Sequence, residues 1–420
     1  MSDDIAVTGI GLVTPGGTGT EATWETVCAG RATARVDPVL TESGAPVRLA
    51  CRVAPPAEEG VGGRLWRFDP ATRFLLTAAR EALASAGLEP GRWDPARVAV
   101  VVGTAAGGVA TLEAQHRKLL ASGPRALSPM TLPAFLPNMA AGQLALELGA
   151  TGSALQTSTA CASGATAIIT AALLLRAGVC DVAVAGGTDA MATPLCASAF
   201  AKLGALSRRE DDPGGASRPF DRDRDGFVLS EGCGVLVLER TARTDRPLAF
   251  LAGFGATGDA HHATAPHPKG AGLHPKGAGL RAATALALAG AGRTPGEVDH
   301  INAHGTSTAL NDAVEATAIR ELYETGGDGP GPAPEGPSIT SAKGVLGHTM
   351  GAAGAIEAAL TVLTVVHGTV PPTAGFTAPD EATAGIDLVH GAARPQRVRL
   401  ALSHSLGFGG HNTVLAFTAV

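Results

Sequence analysis

One alternation constrains this 420-residue chain more than any other feature. Apolar, β-branched runs recur at 5–10, 98–103, 181–187, 234–239, 300–305 and 400–405, with Ala/Leu-rich stretches of helical length at 71–87, 163–177, 279–292, 312–324 and 351–367. Strand-like runs interleaved with helical ones predict an α/β fold built in layers. At roughly 150 residues per domain, the length allows two or three units. A hydrophobic content of 45% and a net charge of −6 exclude a largely disordered chain and leave no basic field to hold nucleic acid. Aromatics make up only 4%, so the core must be built from Ala, Val and Leu.

The two halves echo each other. VAVVVGTAAGG (98–108) resembles DHINAHGTSTA (299–309), and STACASGATAIITAALLLRAG (158–178) resembles GHTMGAAGAIEAALTVLTVVHG (347–368). DVAVAGGTDA (181–190) likewise resembles LALSHSLGFGG (400–410). Three matches in one order predict a duplicated α/β unit, with halves 1–246 and 247–420. The two helical stretches within the echo are apolar nearly all round, which predicts burial inside the protein. A buried helix start brings free N–H groups and a positive dipole end inward, where an anion is stabilised.

Cys161 lies at such a start, in TSTACASGATA, bracketed by small residues that leave room for a substrate. Taken alone it reads as one more buried thiol. The helix start predicts a lowered pKa and a nucleophilic thiolate. His304 in NAHGTSTALND and His348 in SAKGVLGHTMGAAG occupy matched turns, with Lys343 five residues before the second. Neutral imidazoles there can donate hydrogen bonds to a developing enolate or oxyanion. Thr306 and Thr308 offer hydroxyls to a polar ligand arm, and GFGG (407–410) is a flexible turn carrying Phe408.

These segments resemble the condensing enzymes of the thiolase superfamily, of the β-ketoacyl-ACP synthase I/II type. The resemblance runs from VTGIGLVTPGG to GFGGHN and takes in RPFDRDRDGFVLSEGCGVLVLE (218–239) and GDAHHATAPHPKGAG (258–272). It implies a thiolase fold with duplicated αβαβα layers, dimeric through the N-terminal half. It makes Cys161 the acyl-accepting nucleophile and His304 and His348 the pair that promotes malonyl decarboxylation. Lys343 would orient the network with Glu315, while Thr306 and Thr308 hold the phosphopantetheine arm. Phe408 would be the gate, its backbone N–H joining that of Cys161 in an oxyanion hole. The partners implied are an acyl carrier protein and a like or related subunit, in fatty-acid or type II polyketide assembly. No cofactor is expected beyond the carrier's phosphopantetheine. Two other readings stay open: a non-condensing, chain-length-determining subunit, and an acyltransferase that does not elongate.

The sequence departs from the family's habit at Leu406, often Phe, and at His411, often Thr. Ala106 stands where a bulkier aliphatic residue often limits the acyl pocket. Ala106 and Leu406 together predict tolerance of long or unusual acyl chains, unless Phe200 or the partner subunit's Met130 and the partner subunit's Thr131 refill the space. Arg64, Arg67 and Arg125 are candidates for a carrier-docking face.

Other motifs are set aside. DRDRDG (221–226) mimics the start of a calcium loop, but its twelfth position is Gly232 and its arginines repel a cation. His261, His262, His267 and His274 lack the spacing of a metal site. HPKGAGL at 267–273 recurs at 274–280 and reads as a neutral loop insertion, and 326–337 reads as a flexible connection. The start shows no secretory pattern, no apolar run reaches the roughly 18 residues of a membrane span, and the six cysteines have no paired spacing. A cytoplasmic protein without membrane or metal contacts is the expectation.

Overall fold

The computed structural model describes residues 5–54, 67–244, 246–262, 277–324 and 336–420. The first half contributes strands β1 (Ile5–Thr14), β2 (Val98–Gly103), β3 (Ala154–Thr157), β4 (Val182–Ala190) and β5 (Leu229–Arg240). The second contributes β6 (Ala249–Gly258), β7 (His300–Asn302), β8 (Ser338–Thr340), β9 (Leu400–Gly407) and β10 (His411–Thr418). They run in the order β8-β7-β9-β10-β6-β1-β5-β4-β2-β3. Each half therefore repeats one pattern outward from the seam, where Ile5–Val7 pair with Ala249–Leu251. In both, two antiparallel neighbours are followed by parallel ones. The strand pattern thus repeats about the seam, and residues 246 and 247 lie between β5 and β6.

Period-two side chains divide each strand between two cores. Val98, Val100, Val102, Val235 and Val237 face an outer layer that includes the helix Pro70–Ala86. Ala99, Val101, Leu236 and Leu238 face inward, onto the helices Ser163–Arg176 and Ala353–His367. On the other side Leu402, Val414 and Ala416 pack against helices Ala278–Ala291 and Ala309–Glu324. The five layers αβαβα follow. The first outer helix starts where its sequence says it should: Asp69 accepts the N–H of Ala71 at 3.0 Å, Pro70 follows, and Gly87 ends it in the left-handed conformation.

Small residues let the two central helices touch. A Cβ at Gly164 would lie 2.7 Å from the backbone nitrogen of Ala355, and one at Gly354 would lie 2.8 Å from that of Ala165. This layer also corrects one expectation. The run Met350–His367 has 18 residues and a mean hydropathy of 1.5, long and apolar enough to cross a membrane, yet 89% of it is buried between the sheets. Its apolarity serves the core.

Candidate active site

The nucleophile candidate sits on a tight elbow. After β3 the chain turns through Ala160, at φ 50, presents Cys161, and enters the helix at Ser163. Ser163 stitches the turn, its Oγ accepting from the Thr159 N–H at 3.0 Å and donating to the Ala160 carbonyl at 2.6 Å. Gly407, at the end of β9, presses on the elbow so closely that a Cβ there would lie 2.3 Å from the Thr159 carbonyl oxygen. The backbone N–H of Phe408 is thereby brought to the Cys161 thiol.

Cys161 is half-buried, yet enclosed enough that burial pushes its thiol up to about 12. The Lys343 ammonium and the Phe408 N–H pull it down, while Asp189 and Glu357 push it up. The expected lowered pKa is therefore corrected: at rest the group is a thiol, because burial and two acidic neighbours outweigh the helix start. Burial raises Cys28, Cys51, Cys180, Cys196 and Cys233 as well, so placement distinguishes Cys161 and acidity does not.

His304 follows β7 on a turn clamped by Glu315, whose two oxygens each accept a backbone N–H, from His304 and Gly305, at 2.8 Å. His348 is held between Val228 and Ser230 through its own backbone, at 2.8 and 3.0 Å. Burial, with the Lys343 charge behind it, holds both imidazoles well below their ordinary pKa, so both are neutral. Their tautomers follow from what Nδ1 must accept. The Met350 N–H points at His348 Nδ1 from 3.3 Å, and the Lys343 ammonium lies 3.3 Å from His304 Nδ1. Each ring is left with its proton on Nε2. The two rings meet edge to face with centroids 5.5 Å apart.

Lys343 has three N–H donors and three acceptors: Glu357, the His304 carbonyl at 2.7 Å and His304 Nδ1. Its carboxylate partner is Glu357, in the helix Ala353–His367, while Glu315 reaches the same network through the backbone of His304 and Gly305. Glu315 also meets His404 Nδ1 at 3.2 Å. The sequence reading also missed Asp189. It lies at the end of β4, fully buried, accepting from Thr104 Oγ1 at 2.6 Å and from the N–H groups of Gly351 at 2.7 Å and Ala105 at 2.8 Å. Burial raises it to about 6. Both acids stand in apolar or glycine-rich surroundings, and a lone Glu inside GAIEAAL was the one visible signal.

Cys161, His304 and His348 open onto one cavity of about 440 Å³. Thr306, Thr308, Phe200, Leu406 and Phe408 also line it, and the two threonine hydroxyls lie 2.8 Å apart. Ala106 does not line it: its N–H points at Asp189 from 3.4 Å in the turn after β2, so it adds no room to this cavity. Phe200 stands 6.3 Å, centroid to centroid, from Phe408. Arg67 and Arg125 are exposed, whereas Arg64, His267 and His274 lie outside the described residues. Among the described residues no group of three His, Cys, Asp or Glu side chains is placed to hold a metal ion.

Comparison with known proteins accounts for this arrangement. Residues 2–244 match the model of the beta-ketoacyl synthase N-terminal domain, and residues 248–377 match that of its C-terminal domain. The chain is 38% identical to the 3-oxoacyl-[acyl-carrier-protein] synthase 2 of Synechocystis sp., over 98% of this chain and 97% of that protein. It is 37% identical to the protein of the same name from Staphylococcus aureus, with 98% and 97% covered. Among solved structures it resembles the ishigamide ketosynthase/chain length factor, at 32% identity and a TM-score of 0.88 over 100% of both chains. A beta-ketoacyl synthase from Burkholderia phymatum gives 30% and 0.88, again over 100% of both. By sequence and by fold, this chain belongs to the beta-ketoacyl synthase family of condensing acyltransferases.

Proposed function

We propose that the chain catalyses decarboxylative Claisen condensation between an acyl group on Cys161 and malonyl carried on an acyl carrier protein. One observation carries the reading: a thiol on a helix start shares a cavity with two neutral imidazoles whose Nε2–H groups are free of the framework that fixes Nδ1. The Cys161 sulfur displaces the carrier thiol from an acyl thioester, and its proton leaves on that thiol. Malonyl thioester then loses carbon dioxide, and its electron pair becomes an enolate whose oxygen accepts from the imidazoles. Removed from water, such bonds gain strength. The enolate carbon attacks the Cys161 thioester carbonyl, whose oxygen is received by the N–H groups of Cys161 and Phe408. Collapse expels the sulfur as a thiolate, which takes a proton from solvent to become a thiol again, and leaves a β-ketoacyl thioester on the carrier.

Lys343 acts as a positioning residue in this scheme, because its charge keeps a proton off His304 Nδ1. Thr306 and Thr308 hold the phosphopantetheine arm, and the reaction draws on no further cofactor. The carrier docks over Arg67 and Arg125. A second subunit, like or related, pairs along the edge strand β3, where Leu155 is 39% exposed. We place the protein in the cytoplasm, in fatty-acid or type II polyketide assembly. A precedent for the carrier contact exists in a solved relative, a type II PKS acyl-carrier protein in complex with its ketosynthase bound to the hexaketide, at 30% identity and a TM-score of 0.87. The test incubates the protein with acyl- and malonyl-carrier protein and reads acyl-Cys161, carbon dioxide and β-ketoacyl product. Acylation without carbon dioxide release would favour simple acyl transfer, and absence of both would favour a non-condensing subunit.

A further inference from the structure

The DRDRDG stretch that mimics a calcium loop has another use. Its acids diverge: Asp221 is buried, Asp223 is exposed beside Arg222, and Asp225 accepts from the Arg208 N–H at 3.2 Å. We infer that the segment Arg218–Gly226 is a clasp between the halves, and that Asp221 and Arg224 are positioning residues for the two imidazoles. The inference rests on the condensation reading above.

Asp221 accepts from Arg218 Nε at 2.8 Å, from the Asp223 N–H at 2.9 Å, and from Thr377 N–H and Oγ1 at 2.6 and 2.7 Å. Arg224 donates to Asp380 at 2.7 Å and to the Ala309 carbonyl at 3.1 Å. Just before them, fully buried Phe220 sits at φ 63, its N–H on Asp312 at 2.7 Å and its carbonyl on Thr383 Oγ1 at 2.8 Å. A non-glycine residue persists in that conformation only where its surroundings over-determine it. A first-half segment is thus bolted into second-half loops.

Both stems of the clasp end at the site. The Arg218 N–H donates to Ser307 Oγ at 2.9 Å, and the Gly226 N–H to the Ser307 carbonyl at 3.0 Å. Ser307 lies between Thr306 and Thr308, three residues past His304. The residue after the clasp, Phe227, stands edge to face with His348, centroids 5.2 Å apart, and is backed by Phe200 at 5.4 Å. The clasp therefore holds the His304 turn at one end and the His348 ring at the other. A fastening meant for stability alone needs neither contact.

The test compares full-length wild type with Asp221→Asn. The expected result is a folded protein whose His348 imidazole resonances shift, whose carbon dioxide release from malonyl-carrier protein falls about ten- to a hundredfold, and whose Cys161 acylation changes less than about threefold. Phe227→Leu should give the same split, and the double variant should lose no more than either single one. If Asp221→Asn fails to fold, Thr377→Ala removes one hydroxyl from the same carboxylate and must show the split at smaller amplitude. Unmoved His348 resonances, or acylation and decarboxylation falling in parallel, would overturn the clasp. Wild-type protein that releases no carbon dioxide would overturn the condensation reading instead, and the resonances would still decide the clasp.

Discussion

The two helix starts at the centre of the molecule share a backbone and differ in what fills them. Ala160 at φ 50 stands three residues before the helix Ser163–Arg176, and Met350 at φ 54 stands three residues before Ala353–His367. After the first comes Cys161, facing the cavity. After the second comes Gly351, whose N–H is already taken by the buried Asp189 carboxylate. Duplication supplied two places where backbone N–H groups and a helix dipole favour negative charge. One is plugged by the protein's own anion. The other is open to substrate.

That contrast can be broken by experiment. Cys161→Ala should lower condensation by roughly 10⁴-fold or more, while carbon dioxide release from malonyl-carrier protein persists because the imidazoles remain. Product formed at the wild-type rate would show that the open elbow is not the nucleophile's seat. His348→Ala removes an Nε2–H donor next to the plugged elbow and should cost about 10²–10³ in decarboxylation, with acyl loading of Cys161 largely kept. Equal losses in both steps would merge the roles that the two elbows separate.

Asp189 sharpens the comparison through pH. Burial raises its folded pKa from the ordinary 3.8 to about 6, so between those values the folded chain holds a proton that the unfolded chain has released. The contribution of this carboxyl to stability is full below pH 3.8 and declines as pH rises through about 6, by up to about 3 kcal/mol. Urea midpoints of wild type and Asp189→Asn at pH 5 and pH 8 should differ in that sense, the wild type losing more on the way up. The smallest effect concerns strain. Ala160→Gly relieves a left-handed alanine but loosens the unfolded chain, so a gain of at most about 1 kcal/mol in denaturant unfolding is expected. A loss would mean that the alanine methyl supports the elbow.

Local pattern carried far in this sequence. The runs at 98–103 and 163–177 became β2 and a central helix almost to the residue, and the small-residue bracket located Cys161. What escaped depends on the chain coming together. The strand Ala249–Gly258 was missed because AFLAGFGATG is rich in glycine, whose backbones lie against the helix Ala278–Ala291; a Cβ at Gly255 would sit 2.0 Å from the Ala283 carbonyl oxygen. Lys343 finds Glu357 only because two layers meet, and no spacing rule favours it over Glu315. The acidity of Cys161 was misjudged because a helix start is visible in sequence, whereas the extent of enclosure and the nearness of Asp189 and Glu357 are not.

The close approach of Gly164 to Ala355 and of Gly354 to Ala165 reaches beyond packing. Each central helix presents its smallest residues to the other, leaving little side chain to absorb a change. Enlarging a residue on one helix therefore demands a matching retreat on its twin. Chimaeras that exchange whole halves between relatives should therefore tolerate foreign outer layers far better than a foreign central pair.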